Sequence, residues 1–139
     1  MTIQRTLCII KPDAVKQRKQ GAILQRIIDE GFNVLAMRQI NLGREMAEKF
    51  YAVHSERPFF GELVEFMASG PVVVVALQAE NAVSRYRELI GATDPAKAAS
   101  GTIRAEFGAS LGENAVHGSD SEENGIIETA FFFSGYNLA

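Results

Sequence analysis

The first forty residues carry three blocks of hydrophobic pattern. Residues 4–10 pass from polar to apolar positions, which indicates a strand entering the core, and Pro12 ends it because proline cannot donate to a β-ladder. Apolar residues within 23–28 repeat at helical spacing, and Gly31 is placed to end that helix. Residues 32–40 alternate loosely, which predicts a strand with one face in water.

The middle of the chain predicts two helices, a strand and a further helix. Apolar positions follow a helical stripe in 44–53, and a shorter helix is expected over 61–68. The strand predicted at 71–77 holds four consecutive valines, a β-branched run that suits a central buried strand. The next helix lies between Asn81, a residue type favoured at helix starts, and Gly91, a type favoured just past helix ends.

The last third of the chain is less regular. Residues 92–125 show little periodicity, so we expect a long loop, and loops of that length are usually functional or disordered. Residues 126–133 predict a closing strand. The order of elements then matches βαββαβ, which predicts an α+β, ferredoxin-like sandwich with helices on one face of a four-stranded antiparallel sheet. Residues 1–139 would form one domain, and the fold alone defines no chemistry.

Composition narrows the class of protein. Hydrophobic residues make up 47% and charged residues 22% of the 139 positions, and the formal charge of -3 gives no basic field to attract nucleic acid or acidic lipid. The single cysteine, Cys8, can form no disulfide within the chain, and its apolar neighbours predict a buried packing residue. No window has the length of a membrane span and no secretory signal precedes the first strand, so we expect a cytoplasmic protein.

His117 is the first candidate for chemistry, because it is one of only two histidines and stands in the long loop. Gly118 beside it removes bulk and permits unusual backbone angles, and imidazole is a good nucleophile near neutral pH. On residue type alone, a lone loop histidine is more often a surface residue, and Ser119 to Glu122 also fits a helix-capping box. No cysteine or second histidine stands at ligand spacing, so we expect no metal site.

Three cations form the second clue. Lys11 ends the first strand, Arg87 lies off the main apolar stripe of its helix, and Arg104 lies in the long loop. Each alone is more often a solvated charge, but a triphosphate needs several such groups, and guanidinium pairs bidentately with phosphate oxygens. The chain has neither a P-loop sequence nor a glycine-rich dinucleotide motif, so any nucleotide phosphates would be held by side chains and a metal ion.

Glu128 is the third clue, since it is a carboxylate within the apolar segment 126–133. Burying a carboxylate is costly unless it is paired. In one interpretation Glu128 points outward from a strand edge. In the other it orients the imidazole of His117, so that one ring nitrogen is held and the other is free to attack.

Several segments together resemble the nucleoside diphosphate kinase family, and the resemblance covers nearly the whole chain. The segment NAVHGSDS at 114–121 is similar to the active-site signature of that family. Each motif is short, but this many in the same order are specific. The other similar segments are TLCIIKPD at 6–13, FYAVHSERPFF at 50–60, SGPVV at 69–73, GATDP at 91–95, GTIR at 101–104 and IETAFFF at 127–133.

The resemblance implies a ping-pong reaction, in which a nucleoside triphosphate gives its γ-phosphoryl group to His117 and a diphosphate collects it. Glu128 and Ser119 would support the histidine ring, and Tyr51 would lie near the transferred group. Mg²⁺ would travel with the nucleotide and bridge phosphate oxygens, without dedicated protein ligands. The nucleotide-binding residues implied are Lys11, Arg87, Arg104 and Thr93 for the phosphates, Asn114 with Lys11 for the ribose, and Phe59 with Leu111 for the base.

The same resemblance implies broad base and sugar specificity, because a base held only by stacking is weakly discriminated. Two positions depart from the common family pattern, Ser55 after His54 and Glu113, and neither touches the proposed chemistry. The short segment 134–139 resembles the ends of bacterial members, which are often tetramers. We therefore expect a homo-oligomer, with a tetramer first and a hexamer or dimer as alternatives.

Two other classes of protein remain open from the sequence. Ferredoxin-like sheets also bind RNA, although this chain lacks the aromatic RNA-binding stretch and is negatively charged. A family relative with an inactive site is the other class, and the complete set of expected site residues argues against it.

Overall fold

The computed structural model describes residues 2–139, which contain four strands and eight helices. The strands are β1 (Ile3–Ile10), β2 (Asn33–Asn41), β3 (Pro71–Glu80) and β4 (Val116–His117). The helices are α1 (Pro12–Lys16), α2 (Gln20–Asp29), α3 (Arg44–Phe50), α4 (Phe60–Met67), α5 (Ala82–Ile90), α6 (Ile103–Phe107), α7 (Glu122–Phe132) and α8 (Gly135–Leu138). Single 3-10 turns occur at Ala52–His54 and Pro95–Lys97.

The four strands form one sheet in the order β2-β3-β1-β4, and every neighbouring pair is antiparallel. β1 and β3 pair along the whole of β1, with Leu7 opposite Ala76. β4 is only two residues long, yet it places His117 opposite Ile9 of β1. This strand order and the helices between the strands confirm the predicted α+β, ferredoxin-like class.

Helices cover both faces of the sheet, so the prediction of helices on one face was wrong. The valines at 72–75 alternate between two cores, as strand geometry requires. Val73 and Val75 pack with residues of α2 and α5, whereas Val72 and Val74 pack with residues of α4 and α7. Because both faces are buried, the central strand β3 reads as a continuous apolar run.

Residues 126–133 do not form the closing strand that the sequence predicted. They belong mainly to helix α7, and the fourth strand is β4, inside the segment expected to be a loop. The buried residues of α7 are Gly125, Thr129 and Phe132, which do follow helical spacing. Of these three buried residues only Phe132 is large and apolar. The sequence of α7 therefore lacks the apolar stripe by which a helix is recognised.

Other boundaries also differ from the prediction. Ser121 caps α7, since its hydroxyl accepts the backbone N–H of Asn124 at 3.1 Å, so the helix start lies two residues later than a cap at Ser119 would put it. The helix predicted over 44–53 ends at Phe50, and Val53 is 84% exposed. The predicted loop also contains α6 and a 3-10 turn.

Several local predictions are confirmed. Pro12 begins α1 directly after the first strand, and Cys8 is fully buried. Gly31 and Gly91 follow their helices with φ of +92° and +88°, a conformation that favours glycine. Asn81 stands at the start of α5, although its side chain makes no capping hydrogen bond. Across residues 2–139, every helix is too short or too polar to span a lipid bilayer.

Candidate active site

His117 lies at the edge of the sheet with its side chain 18% exposed. Its Nε2 is 2.8 Å from Oε1 of Glu128. A carboxylate only accepts hydrogen bonds, so the neutral ring carries its proton on Nε2 and keeps a free lone pair on Nδ1. One ring nitrogen is therefore held in place, and the other is available as a nucleophile.

Glu128 reaches the histidine from α7 and not from a strand. The helix can approach because Gly125, about one turn earlier, lies directly against β1. A Cβ atom at that position would overlap the carbonyl oxygen of Arg5. The close packing of α7 on β1 therefore sets the distance between the carboxylate and the imidazole.

Ser119 connects the carboxylate to the sheet. Its hydroxyl donates to Oε1 of Glu128 at 2.7 Å and accepts the backbone N–H of Leu7 at 3.0 Å. The backbone N–H of Ser119 in turn donates to the hydroxyl of Thr6 at 3.3 Å. The structure thus brings together the three residues His117, Ser119 and Glu128 that the sequence singled out.

Two aromatic residues adjoin this group. Phe50 packs against the imidazole with 5.6 Å between ring centroids and 77° between ring planes. This contact was not predicted, because Phe50 occupies an ordinary core position in the helical pattern of 44–53. Tyr51 is buried, and its hydroxyl has no hydrogen-bond partner within residues 2–139. Burial, together with the Glu128 carboxylate, raises the pKa of Tyr51, so its hydroxyl stays protonated as a donor.

A chain of polar contacts connects Lys11 to the segment after α5. Lys11 Nζ donates to Oδ1 of Asn114 at 2.8 Å, and Nδ2 of Asn114 donates to the backbone carbonyl of Thr93 at 2.9 Å. Burial lowers the pKa of Lys11 to about 8, with the charge of Arg104 adding to this and the carboxylate of Asp13 opposing it. Three residues expected at the site, Lys11, Asn114 and Thr93, are therefore in direct contact.

Arg104 is buried and only partly used by the protein. Its Nη1 donates to the carbonyl of Gly91 at 3.0 Å, and its Nη2 donates to the carbonyl of Val116 at 2.9 Å. A guanidinium has five N–H donors, and Nε has no partner in the described part of the chain. Burial lowers the pKa of Arg104, and the nearby positive charge of Arg87 lowers it further. The two arginines repel each other, so a bound polyanion would stabilise both of their charges.

The remaining expected residues lie at the surface. Arg87 and Thr93 line a groove of about 470 Å³ that also includes Lys97, a cation that the sequence did not single out. The two side chains expected to contact the nucleotide base are accessible, since Phe59 is 48% exposed and Leu111 is 61% exposed. Phe59 packs against His54 with 5.6 Å between ring centroids.

The backbone before the nucleophile has an unusual conformation. Ala115 has a φ of +73°, and Oδ2 of Asp13 accepts its N–H at 3.1 Å. Gly118, where unusual angles were expected, does not lie in the left-handed region. Its lack of a side chain serves packing instead, because a Cβ there would be 2.9 Å from ring carbons of Tyr86. Asp13 was missed, although it stands two positions after Lys11 in the segment TLCIIKPD.

The donors at the site suit phosphate oxygens. Lysine, arginine and hydroxyl groups bind anions, and Lys11 and Arg104 contact the segment that leads into His117. Within residues 2–139, no three histidine, cysteine, aspartate or glutamate side chains are grouped so as to hold a metal ion. The arrangement therefore fits a phosphate chain, which can itself carry a divalent cation.

Fold and site together define a phosphotransferase. Residues 4–138 match the family model described as nucleoside diphosphate kinase. The chain belongs to the nucleoside diphosphate kinase family. The activity of that family is ping-pong transfer of a γ-phosphoryl group between nucleotides through a phosphohistidine, and its members are generally Mg²⁺-dependent.

Individual relatives support this assignment along the full chain. The nucleoside diphosphate kinase of Sorangium cellulosum is 57% identical over 139 residues, which cover 100% of this chain and 96% of the relative. The solved structure of the Aquifex aeolicus enzyme has a TM-score of 0.96 at 49% identity, covering 99% of this chain and 100% of that one. The halophilic enzyme of Halobacterium salinarum, solved in complex with CDP, has a TM-score of 0.93 at 37% identity, covering 99% and 92%.

Proposed function

We propose that His117 carries the phosphoryl group in this chain. The observation that supports this role is the 2.8 Å contact between Nε2 and Glu128, which leaves Nδ1 free. In the first half-reaction a bond forms between Nδ1 and the γ-phosphorus, and the bond from that phosphorus to the β–γ bridging oxygen breaks, so the diphosphate leaves. The ring keeps its Nε2 proton and becomes positive, and the Glu128 carboxylate stabilises that charge. A second diphosphate then attacks the phosphohistidine and reverses these steps.

The phosphates would be held by the cationic cluster. Phosphoryl transfer depends on positioning and on neutralising charge that develops on the equatorial oxygens. Arg104 supplies its unused N–H donors, Lys11 is charged below its pKa of about 8, and Arg87 and Thr93 line the adjoining groove. The unpartnered hydroxyl of Tyr51 would donate to the transferred group. Mg²⁺ bound to the nucleotide's own phosphate oxygens would supply further positive charge there.

The nucleoside would be held more loosely. Asn114 uses one lone pair of Oδ1 and one N–H of Nδ2 within the protein, so each atom keeps one hydrogen-bonding position for ribose hydroxyls, beside Lys11. Phe59 would stack on the base, with Leu111 on its other side. Since every base has a stacking face, we propose broad base and sugar specificity. The relative from Halobacterium salinarum was solved with CDP, which supports a nucleoside diphosphate as acceptor.

Labelling with γ-³²P ATP tests the proposed function. The protein should take up label in an acid-labile, base-stable form, and it should pass that label to dTDP. His117→Gln should remove the labelling, whereas His54→Gln, at the second histidine, should retain it. Label that survives in His117→Gln would show that the nucleophile is another residue. A wild-type protein that takes up no label would overturn the proposed function itself.

We also propose that residues 1–139 act as one domain within a cytoplasmic homo-oligomer, with a tetramer expected and a hexamer or dimer as alternatives. Exposed apolar side chains support a subunit contact, since Met37 of the edge strand β2 is 51% exposed and Ile28 of α2 is 44% exposed. Size-exclusion chromatography with light scattering measures the subunit number. A monomer at micromolar concentration would contradict this proposal.

A further inference from the structure

We propose that Tyr86 is a positioning residue for phosphoryl transfer, because its hydroxyl holds the backbone of the nucleophile. This inference rests on the proposed role of His117 as the phosphate carrier. The Tyr86 hydroxyl donates a hydrogen bond to the carbonyl oxygen of His117 at 3.2 Å. Tyr86 comes from α5 and is fully buried, so it contacts the nucleophile from inside the core, away from any nucleotide.

The ring of Tyr86 also packs against the residue after the histidine. A Cβ on Gly118 would be 2.9 Å from both Cδ2 and Cε2 of the ring, so only glycine permits this approach. The hydroxyl and the ring thus act on the two residues of one peptide unit, between His117 and Gly118. Glycine is otherwise the most flexible residue in a backbone, and this packing restricts it.

Tyr86 is not among the residues proposed to contact the nucleotide. The carbonyls of Val116 and His117 follow each other in the chain, and they are held by Arg104 and Tyr86 respectively. Arg104 is also proposed to bind phosphate, so its guanidinium would contact both the ligand and the carbonyl of Val116. Glu128 holds the imidazole ring. Tyr86 alone among these three holds the main chain of the histidine itself.

The tyrosine is itself well fixed. Its ring makes an edge-to-face contact with Phe32, with 5.9 Å between centroids and 84° between planes. Burial raises the pKa of Tyr86 well above its ordinary value, and the neighbouring Cys8 thiol adds to this effect. The hydroxyl therefore remains a donor throughout the pH range of an activity assay. A fixed ring and a permanent donor are the properties that a positioning residue requires.

Tyr86→Phe tests the inference because it removes only the hydroxyl. The single-turnover rate of phosphoenzyme formation should fall roughly two- to tenfold, the effect of losing one neutral hydrogen bond. The KM for ATP should stay within about twofold, since no nucleotide contact is lost. The carbonyl ¹³C resonance of His117 should also shift, because that atom loses its hydrogen bond.

Ile27→Val is the matched control, since it removes packing from the same core cluster and leaves both Phe32 and the Tyr86 hydroxyl in place. It should lower the melting temperature but leave the transfer rate and the carbonyl resonance of His117 unchanged. Three results would overturn the inference: a wild-type rate in Tyr86→Phe, an unshifted carbonyl resonance, or equal slowing in both variants. If the wild-type protein forms no phosphoenzyme, the proposed function fails together with the inference. If it labels normally and Tyr86→Phe is unaffected, only the inference fails.

Discussion

The carboxylate of Asp13 accepts a hydrogen bond from the backbone N–H of Ala115 at 3.1 Å, and the carbonyl of Ala115 accepts the backbone N–H of Lys11 at 2.8 Å. Lys11 and Asp13, the two neighbours of Pro12, therefore hold Ala115 in a left-handed conformation. That conformation costs an L-residue about 1–2 kcal/mol. Ala115 lies two positions before His117. These two hydrogen bonds therefore fix the path of the backbone that leads to His117.

Removing one of these hydrogen bonds should destabilise the protein. Asp13→Ala leaves the buried N–H of Ala115 without a partner, so we expect the free energy of unfolding to fall by about 1–3 kcal/mol. Asp13→Asn keeps an oxygen acceptor at the same place and should cost less. Urea denaturation measures both. Equal losses in the two variants would mean that this hydrogen bond does not hold Ala115.

The contact between α7 and β1 predicts a strong effect at Gly125. Gly125→Ala puts a Cβ onto the carbonyl oxygen of Arg5, so the helix must move outward and carry Glu128 with it. We expect a loss of stability of about 1–3 kcal/mol or more, and slower phosphoenzyme formation. Gly61→Ala is the control, because nothing lies within 4 Å of that site and alanine favours the helix α4. It should stabilise the protein slightly, as thermal unfolding would show.

The buried amine of Lys11 predicts opposite pH dependences for stability and binding. Its pKa is about 8 in the folded chain, against 10.5 for a free lysine. The unfolded chain binds more protons between these values, so the free energy of unfolding without nucleotide should rise from pH 8 to 10.5. Below pH 8 the cost of the buried charge is fully present. ADP affinity should instead fall as the pH rises through about 8, because phosphate needs the charged amine.

Chemical denaturation and ADP calorimetry between pH 7 and 10 measure the two trends. Lys11→Met provides the reference, because a variant without the amine should lose both contributions. If Lys11→Met and the wild-type protein have parallel pH profiles, the trends belong to other groups.

Charge on Glu128 should matter more than its ability to hold the ring. Glu128→Gln keeps an oxygen near Nε2 of His117 but removes the charge that stabilises the positive ring. Losing one charge-assisted hydrogen bond corresponds to roughly a tenfold to hundredfold fall in the rate of phosphoenzyme formation, which rapid-quench labelling measures. Glu122→Gln, an exposed position at the start of the same helix, should leave the rate unchanged. A rate as high in Glu128→Gln as in the wild type would exclude the electrostatic role.

Phe59 should affect binding without affecting the fold. Because it is 48% exposed, Phe59→Ala should change the melting temperature little, as should Val53→Ala at a position that is 84% exposed. Stacking contributes about 1–3 kcal/mol per base, so KM should rise by a similar factor for all nucleoside diphosphates in Phe59→Ala and stay unchanged in Val53→Ala. A large effect confined to one base would contradict the stacking role.

The sequence predicted the pairing of His117 with Glu128 even though it assigned Glu128 to the wrong element. Chemistry offered the pairing as one of two interpretations, since a buried carboxylate needs a partner and a nucleophilic imidazole needs support, and the family resemblance then implied it. The secondary structure came from periodicity, and α7 hides its periodicity because Gly125 and Thr129 occupy its buried face. Chemical roles and element types are thus separate inferences, and an error in one leaves the other intact.

Residues that act on the backbone were not predicted. Asp13 and Tyr86 bind an N–H of Ala115 and a carbonyl of His117, groups that every residue carries. No pattern of side chains marks such a partner, so only coordinates identify it. Phe50 was missed for a related reason, since an aromatic residue in a helical stripe usually marks the core.

The short strand β4 has a consequence for folding. The hydroxyl of Ser119 accepts the N–H of Leu7 at a sequence separation of 112, and Lys11 contacts Asn114 at a separation of 103. Each contact closes a loop of nearly the whole chain, and loop-closure entropy makes such contacts slow to form. The helices and the antiparallel pair of β2 with β3 can form before β4 is added to the sheet. During refolding, the recovery of catalytic turnover therefore reports the last long-range pairing, after the helical signal has returned.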